Sequence, residues 1–225
     1  MASSAALAQT AKAAAKPRAP TWADVAKWPD FTGGEWVIKG SLVNTSGASG
    51  APLKPELAAR PAAPQDAAAD GCKPRGLPGL VGGEFFYDKD SILLVVDFDY
   101  LVFRRIFMDG RSHEGADPTY FGHSVGHWEG KTLVVDTAAL LPEVPVGRVP
   151  GNGATHIVER FEPVDSNTLS LTITLTNPEV LTGPWVIKKT LVRLPELEVR
   201  EAFCQQNDRN APVNGKANTD LTPPK

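Results

Sequence analysis

The residues best suited to chemistry lie close together between Asp117 and Thr137. This segment reads Asp-Pro-Thr-Tyr-Phe-Gly-His-Ser-Val-Gly-His-Trp-Glu-Gly-Lys-Thr-Leu-Val-Val-Asp-Thr and holds two of the four histidines of the chain, His123 and His127. Histidine has its ordinary pKa near neutral pH, which suits it to act as a general acid or base. Tyr120 lies just before and can donate a hydrogen bond. The sequence therefore predicts acid–base catalysis by His123 and His127, assisted by Tyr120.

The direction in which these histidines point depends on the turn after them. A two-residue turn at Glu-Gly would force a positive φ on the glutamate, which its Cβ disfavours. A three-residue loop over 128–130 needs a positive φ only at the glycine, and it pairs His123 with Val135. In this register His123 and His127 share the more apolar face and are expected to point toward the core or a cavity. A slip of one residue would set His123 opposite Asp136.

A shared metal ion is excluded for this pair of histidines. Residues four apart on a strand lie roughly 13 Å from each other, because a strand rises ~3.3 Å per residue. A metal site would need another histidine or a carboxylate from elsewhere in the chain. The sequence also lacks a phosphate-binding loop, a dinucleotide fingerprint and a zinc-protease motif. The expected chemistry therefore uses no metal and no cofactor.

A second set of candidates surrounds the pair Arg104 and Arg105, which must face opposite ways on a strand. If 108–110 forms a similar turn, Arg105 lies opposite His113, and an inward Arg105 could stabilise a developing anion. A structural ion pair near the barrel rim is the alternative interpretation. The predicted substrate-binding residues are His113, Asp97, Asp99, Trp128 and His156.

The elements that must position these side chains are predicted to be β-strands. Glycine and proline each number 20, and short runs of Val, Ile, Leu and Thr lie between them. Over 168–176 apolar residues alternate with Ser and Thr, the pattern of a strand buried on one face. No helical crossovers separate the strands. We therefore expect an all-β fold, an antiparallel up-and-down barrel of about 8–10 strands, with a two-sheet sandwich as the alternative.

The predicted domain organisation is one barrel with two flexible ends. Residues 1–28 are expected to be flexible apart from a short helix near Trp22, 29–210 form the barrel, and 211–225 form a tail. The formal net charge of −3 offers no basic surplus for nucleic acid. No apolar run approaches the ~18 residues of a spanning helix, so no membrane partner is expected. A small molecule remains as the expected partner, and homodimerisation is left open.

The segment Asp117–Thr137 resembles a signature of an uncharacterised family of exported bacterial β-proteins. In that family Asp-Pro-Thr, a Gly-x-Ser-x-Gly strand and Trp-Glu-Gly precede Thr-Leu-Val-Val. Four further motifs resemble the family as well: Arg104-Arg105-Ile106 with Asp109-Gly110-Arg111, Glu159-Arg160-Phe161, Cys204-Gln205-Gln206-Asn207, and Pro29-Asp30-Phe31-Thr32-Gly33 with Trp36. Together they extend over roughly 29–39 and 72–210.

The resemblance implies a lipocalin-like or calycin-like barrel with a ligand cavity, and it implies no particular activity. Lys131 departs from the family, which has an acidic residue there, and this suggests that position 131 is only turn surface. A full export signal is absent, although Ala6-Leu7-Ala8 is similar to the end of one. A periplasmic or secreted location is therefore expected.

Three functions are compatible with such a barrel. The first is an enzyme that acts in the cavity on a small, largely apolar or aromatic molecule by cofactor-free acid–base chemistry, as a lyase, isomerase, hydratase or hydrolase. The second is a carrier that binds a small hydrophobic ligand without chemistry. The third is a structural or partner-binding domain with a packed interior. The enzyme is preferred because two histidines are expected to face inward in one short strand.

The two cysteines, Cys72 and Cys204, yield the first testable prediction. A disulfide, two buried thiols and one reactive thiol are all compatible with their number, and an exported chain favours the disulfide. Such a bridge would close a loop of about 130 residues, worth ~4–5 kcal/mol by chain entropy. Intact mass measured without reductant should lie two hydrogens below the reduced mass. Full alkylation of both thiols in protein from an oxidising compartment would exclude the bridge.

Overall fold

The computed structural model of the chain describes residues 18–40, 50–59, 76–78, 82–96, 101–146 and 149–200. In chain order its elements are helix α1 (Trp22–Val25), β1 (Glu35–Ile38), helix α2 (Pro55–Ala58), β2 (Gly83–Tyr87), β3 (Ser91–Val96), β4 (Val102–Phe107), β5 (His123–Glu129), β6 (Thr132–Ala138), β7 (Pro145–Val146), β8 (Val149–Pro150), β9 (His156–Asp165), β10 (Thr168–Thr176) and β11 (Trp185–Leu194). The predicted sites Cys72, Cys204, Asp97 and Asp99 lie outside the described residues, as does the tail 211–225.

Nine of these strands close into a barrel in the order β1-β11-β10-β9-β6-β5-β4-β3-β2, while β7 and β8 pair separately as a two-stranded sheet. The predicted all-β barrel is therefore confirmed. Strand β10 has the bounds expected from its alternation, with every second residue buried. Within the segment 1–28, residues 18–28 are described and contain α1, which begins after Thr21 as the sequence predicts.

One pair of neighbouring strands departs from the up-and-down pattern. Strands β4 and β5 run parallel, with Ile106 beside Ser124, and the long connection 108–122 joins them. Parallel neighbours cannot be joined by a tight hairpin. The predicted hairpin at 108–110 is therefore wrong, and Arg105 pairs with Leu93 on β3 instead of with His113.

The hairpin of β5 and β6 also differs from its predicted register. Its loop has two residues, Gly130-Lys131, and the positive φ of +61° falls on Gly130 as the first of them. This turn lies one position later than the Glu129-Gly130 turn considered in the sequence analysis. Glu129 therefore needs no positive φ. His123 consequently lies opposite Ala138, and His127 opposite Val134. The predicted inward orientation of both histidines is wrong, since the buried residues of β5 are Ser124 and Gly126.

Aromatic side chains fill part of the barrel interior. Phe31 is buried and makes edge-on contacts with Trp36 on β1, Phe85 on β2 and Trp128 on β5. Because β5 is not a neighbour of β1 or β2, Phe31 joins walls that are not hydrogen-bonded to each other. Trp128, a predicted substrate-binding residue, thus packs against the segment before β1, and its indole Nε1 is buried without a partner among the described residues.

A polar network lies inside the same barrel. Arg104, only 4% exposed, donates from Nη2 to Glu159 Oε2 at 2.5 Å and to Thr137 Oγ1 at 2.8 Å, and from Nε to Ser124 Oγ at 3.0 Å. Ser124 and Thr137 are themselves hydrogen-bonded at 3.0 Å. We call these four residues the inner network. The expected inward arginine, Arg105, is exposed; Arg104 points inward instead, because it finds a buried carboxylate there.

Removal of Arg104 should destabilise the barrel strongly. In Arg104→Ala the Glu159 carboxylate stays buried without its counter-charge, which typically costs about 3–5 kcal/mol. The double variant Arg104→Met/Glu159→Leu should recover most of this loss, because it removes both charges. Urea unfolding followed by circular dichroism measures both effects. Arg160→Gln is the control, since this exposed neighbour pairs with exposed Glu129. An unchanged midpoint for Arg104→Ala would contradict the structural role of the buried pair.

Candidate active site on the outer face of the barrel

The connection 108–122 leaves β4 and returns to β5 at almost the same place. Phe107, the last residue of β4, stacks on His123, the first of β5, with ring centroids 5.1 Å apart and an interplanar angle of 27°. A loop whose ends meet in this way resembles an Ω-loop, a type that often carries functional residues. Gly122 has a φ of +64°, and a Cβ there would lie 2.5 Å from the carbonyl oxygen of Ala138. Only glycine allows this close return of the loop.

Two of the four histidines bond one carboxylate, and a third reaches it through one of them. Loop residue His113 places its Nδ1 2.9 Å from His123 Nδ1 and its Nε2 3.1 Å from Asp136 Oδ1. His156, the first residue of β9, places Nε2 2.7 Å from the same oxygen. We call His113, His123, Asp136 and His156 the outer cluster. All four side chains are partly exposed.

The hydrogen bonds of the outer cluster assign the protons of its imidazoles. The Asp136 carboxylate accepts, so Nε2 of His113 must donate to it. The Nδ1 of a neutral His113 then carries a lone pair and accepts a hydrogen bond from Nδ1–H of His123. This leaves the lone pair of His123 on Nε2, to which the described part of the chain forms no hydrogen bond. His123 is thereby prepared to take a proton at Nε2.

The electrostatic surroundings of His123 keep it neutral. Its pKa is lowered below 6.5, first because burial of the ring disfavours the charged form, then because of His113 and Arg111. Arg111 lies with its guanidinium carbon 3.7 Å from the centre of the Phe107 ring. Two hydrogen bonds from Nε and Nη2 to the Asp109 carboxylate fix it there, and they lower the pKa of that carboxyl.

An open pocket of about 620 Å³ adjoins His123. The loop supplies the other lining residues: Asp109, Gly110, Arg111, Ser112, Glu114, Gly115 and Ala116. Its lining therefore carries charges of both signs, a hydroxyl and backbone amides, with the imidazole of His123 at one side. A small polar molecule in this pocket would lie beside a neutral histidine with a hydrogen-bonded carboxylate behind it.

The other predicted site residues lie apart from this cluster. The Tyr120 hydroxyl donates to Glu143 Oε1 at 3.2 Å, and Tyr120 is not among the residues that line the pocket. His127 is exposed and contacts Glu129. Arg105 is the nearest, with its guanidinium carbon 6.0 Å from the centre of the Phe107 ring. Of the predicted residues, the structure thus gathers His113, His123 and His156 into one cluster.

Three residues of the site were not predicted. Asp136 is a lone carboxylate in an otherwise apolar strand, and an isolated charge within a strand is a signal that could have been used. Asp109 was assigned only to a turn, and Arg111 only to a motif of the family resemblance. Their spacing of two suits a side-chain ion pair, but nothing in the sequence indicates the Phe107 ring beneath Arg111.

Comparison with known proteins adds no relative. The chain matches no family model, and no curated protein matches it. In the part of the chain that the structure describes, no helix is long and apolar enough to cross a membrane, and no three His, Cys, Asp or Glu residues are placed to hold a metal ion. Fold and site therefore define the chain only by class, as a closed nine-stranded β-barrel with a histidine–aspartate cluster on its outer face.

The titration of His123 can be measured directly. The Cε1 proton of His123 should titrate with a midpoint below 6.5 in an NMR pH series, with the resonance assigned by its loss in His123→Gln. A lowered pKa means that the unfolded chain binds the proton more readily. The ionisation of His123 should therefore not affect the free energy of unfolding above pH 6.5. It should lower this free energy as the pH falls from 6.5 to the pKa of His123 in the folded protein. A midpoint at or above 6.5 would show that the ring is hydrated and not held as described.

Proposed function

We propose that this protein is a cofactor-independent acid–base enzyme whose general base is His123. The observation that carries the proposal is the hydrogen-bonded series His123–His113–Asp136, which leaves Nε2 of His123 without a hydrogen bond to the described residues, on a ring that lines a pocket. A histidine in the correct tautomer, oriented by a second group and by a carboxylate, is the arrangement from which proteins build proton-transfer sites.

The proposed reaction begins with the transfer of a proton from a substrate C–H or O–H group to Nε2 of His123. The imidazolium that forms keeps its Nδ1–H bonded to His113, whose other nitrogen bonds the Asp136 carboxylate. The Asp136 carboxylate orients this series and, through His113, offsets part of the cost of the positive charge, although at 43% exposure it does so less than the buried carboxylate of a catalytic triad. The same proton can return to another atom of the substrate, which yields isomerisation, or to the departing group, which yields elimination. Alternatively, Nε2 of His123 takes a proton from a water molecule, the hydroxide adds to the substrate, and the proton passes to the substrate atom or leaving group that becomes negative, which yields hydration or hydrolysis.

The substrate is proposed to be a small polar molecule rather than the apolar or aromatic one expected for a barrel cavity. The pocket beside His123 contains Ser112, Glu114 and the Asp109–Arg111 pair, and these groups suit hydroxyl and carbonyl oxygens. In contrast, the inward side chains of the barrel, among them Phe31, Phe85 and Phe161, belong to one packed core cluster. This arrangement favours chemistry outside the barrel wall over ligand carriage within it.

Turnover should depend on His123 and not on His127. Protein in D₂O is incubated with a panel of small hydroxy, keto and ester compounds, and ¹H NMR follows exchange of C–H protons and new product signals. His123→Gln should reduce the observed rate ~10²–10⁴-fold, because it removes the proton acceptor. His127→Gln is the matched control, since His127 lies on the same strand and the same outer face but, within the described part of the chain, forms its side-chain hydrogen bond with Glu129 and not with the cluster.

Asp136→Asn provides a second variant of the same experiment. An amide in place of the carboxylate can donate to His113, which reverses the proton positions in the series and should also slow turnover. Circular dichroism establishes that each variant is folded. Wild-type turnover by a well-folded His123→Gln protein would remove His123 from the mechanism.

A further inference from the structure

The inner network lies on four consecutive barrel strands, β4, β5, β6 and β9, and the same strands carry three members of the outer cluster together with Phe107, which stacks on one of them. Each strand contributes one side chain to the inside and one to the outer site. The inward and outward members are Arg104 and Phe107 on β4, Ser124 and His123 on β5, Thr137 and Asp136 on β6, and Glu159 and His156 on β9. On β5 and β6 the two members are adjacent in sequence, so they lie back to back across the sheet.

We propose that Ser124 and Thr137 are positioning residues, which set the geometry of His123 and Asp136 through the hydrogen bonds of the inner network. Ser124 Oγ and Thr137 Oγ1 bond each other and both accept from Arg104. Arg104 is in turn tied to Glu159 on β9. The inner network therefore connects all four strands by side chains, in addition to the backbone ladders.

The outer cluster needs such control because His113 belongs to a loop. No strand holds its ring, which bridges His123 and Asp136 by two hydrogen bonds of 2.9 and 3.1 Å. A hydrogen bond of this kind is lost beyond about 3.5 Å. A shift of a few tenths of an ångström between β5 and β6 would thus break one of the two bonds. The hydroxyl pair Ser124–Thr137 resists this shift because it lies directly behind His123 and Asp136.

A purely structural role would have a different consequence from a positioning role. Loss of a buried hydroxyl lowers stability in either case, so stability cannot distinguish them. The His113–His123 hydrogen bond and the titration of His123 can, because they report on the outer face and respond only if the inner hydroxyls act through the sheet. The catalytic consequence of this inference rests on the proposed function. The two measurements themselves need no substrate.

The test compares Ser124→Ala and Thr137→Val with wild type by NMR of ¹⁵N-labelled histidines. We expect both variants to lose the nitrogen–nitrogen coupling across the His113–His123 hydrogen bond. The midpoint of His123 should rise toward 6.5, because the ring becomes more hydrated and its pKa is lowered mainly by burial. Thr137→Ser retains the hydroxyl and should restore the wild-type coupling and midpoint.

Ile187→Val is the control for loss of buried volume. Ile187 is buried on β11, a strand that carries no member of the inner network or the outer cluster and is not a neighbour of any strand that does. This variant should lose stability yet leave the histidine spectra unchanged. Both variants of the inner hydroxyls keep the Arg104–Glu159 pair, and if Thr137→Val does not fold, Ser124→Ala alone decides. Wild-type coupling and midpoint in folded Ser124→Ala would overturn the inference, and so would an equal change in Ile187→Val.

If positioning is correct, turnover should follow the NMR result once a substrate is found. Ser124→Ala should then reduce kcat more than it changes KM, since Ser124 lies inside the barrel and cannot touch a molecule in the outer pocket. If His123→Gln retains full activity while Ser124→Ala still alters the histidine spectra, the proposed function is wrong. The inference that the inner hydroxyls position the outer cluster is then still supported.

Discussion

The buried ion pair between Arg104 and Glu159 is the interaction on which the other features depend. A guanidinium inside a barrel loses its hydration, and it is tolerated there only because a carboxylate and two hydroxyls replace the water. Its hydrogen bonds from Nε and Nη2 bring β4, β5, β6 and β9 into one arrangement, since each of these strands must present its polar side chain at the same depth, while Nη1 is buried without a partner among the described residues. A displaced strand would leave a buried charge or hydroxyl unpaired. The barrel is therefore fixed most firmly along the stretch of wall that carries the outer cluster.

The parallel contact of β4 with β5 has the second largest consequence. Two parallel neighbours cannot be joined by a tight turn, so the chain leaves the barrel between Phe107 and His123 and returns as a long loop. That loop supplies His113, Arg111 and Asp109, and its return is closed by the stacked rings of Phe107 and His123. The departure from simple up-and-down topology thus creates both the pocket and the histidine that connects His123 to Asp136. A hairpin at this place would have provided neither.

The proposed site consequently lies outside the barrel, where it combines residues of strands and residues of a loop. His123, Asp136 and His156 stand on strands, whereas His113 and the pocket lining come from the loop. Rigid strands keep the proton acceptor and its carboxylate at a defined distance. The loop can adjust to a bound molecule without disturbing the core. The acidic groups Asp109 and Glu114 and the cation Arg111 give the pocket a polar character, which distinguishes it from the aromatic interior.

The sequence by itself determined the all-β class, the barrel, the bounds of β10 and the concentration of candidate site residues around His123. These follow from local patterns, namely alternation, turn residues and rare residue types, which act within a few positions of the chain. It did not determine which of Arg104 and Arg105 faces inward, because adjacent residues on a strand are equivalent until a buried partner, here Glu159, is known. Nor did it determine the register of β5 against β6, since moving the loop to Gly130-Lys131 reverses the face of every residue of β5. The gathering of His113 and His156 at Asp136, with His123 bonded to His113, was decided only by the tertiary structure, because strands distant in sequence become neighbours when the barrel closes.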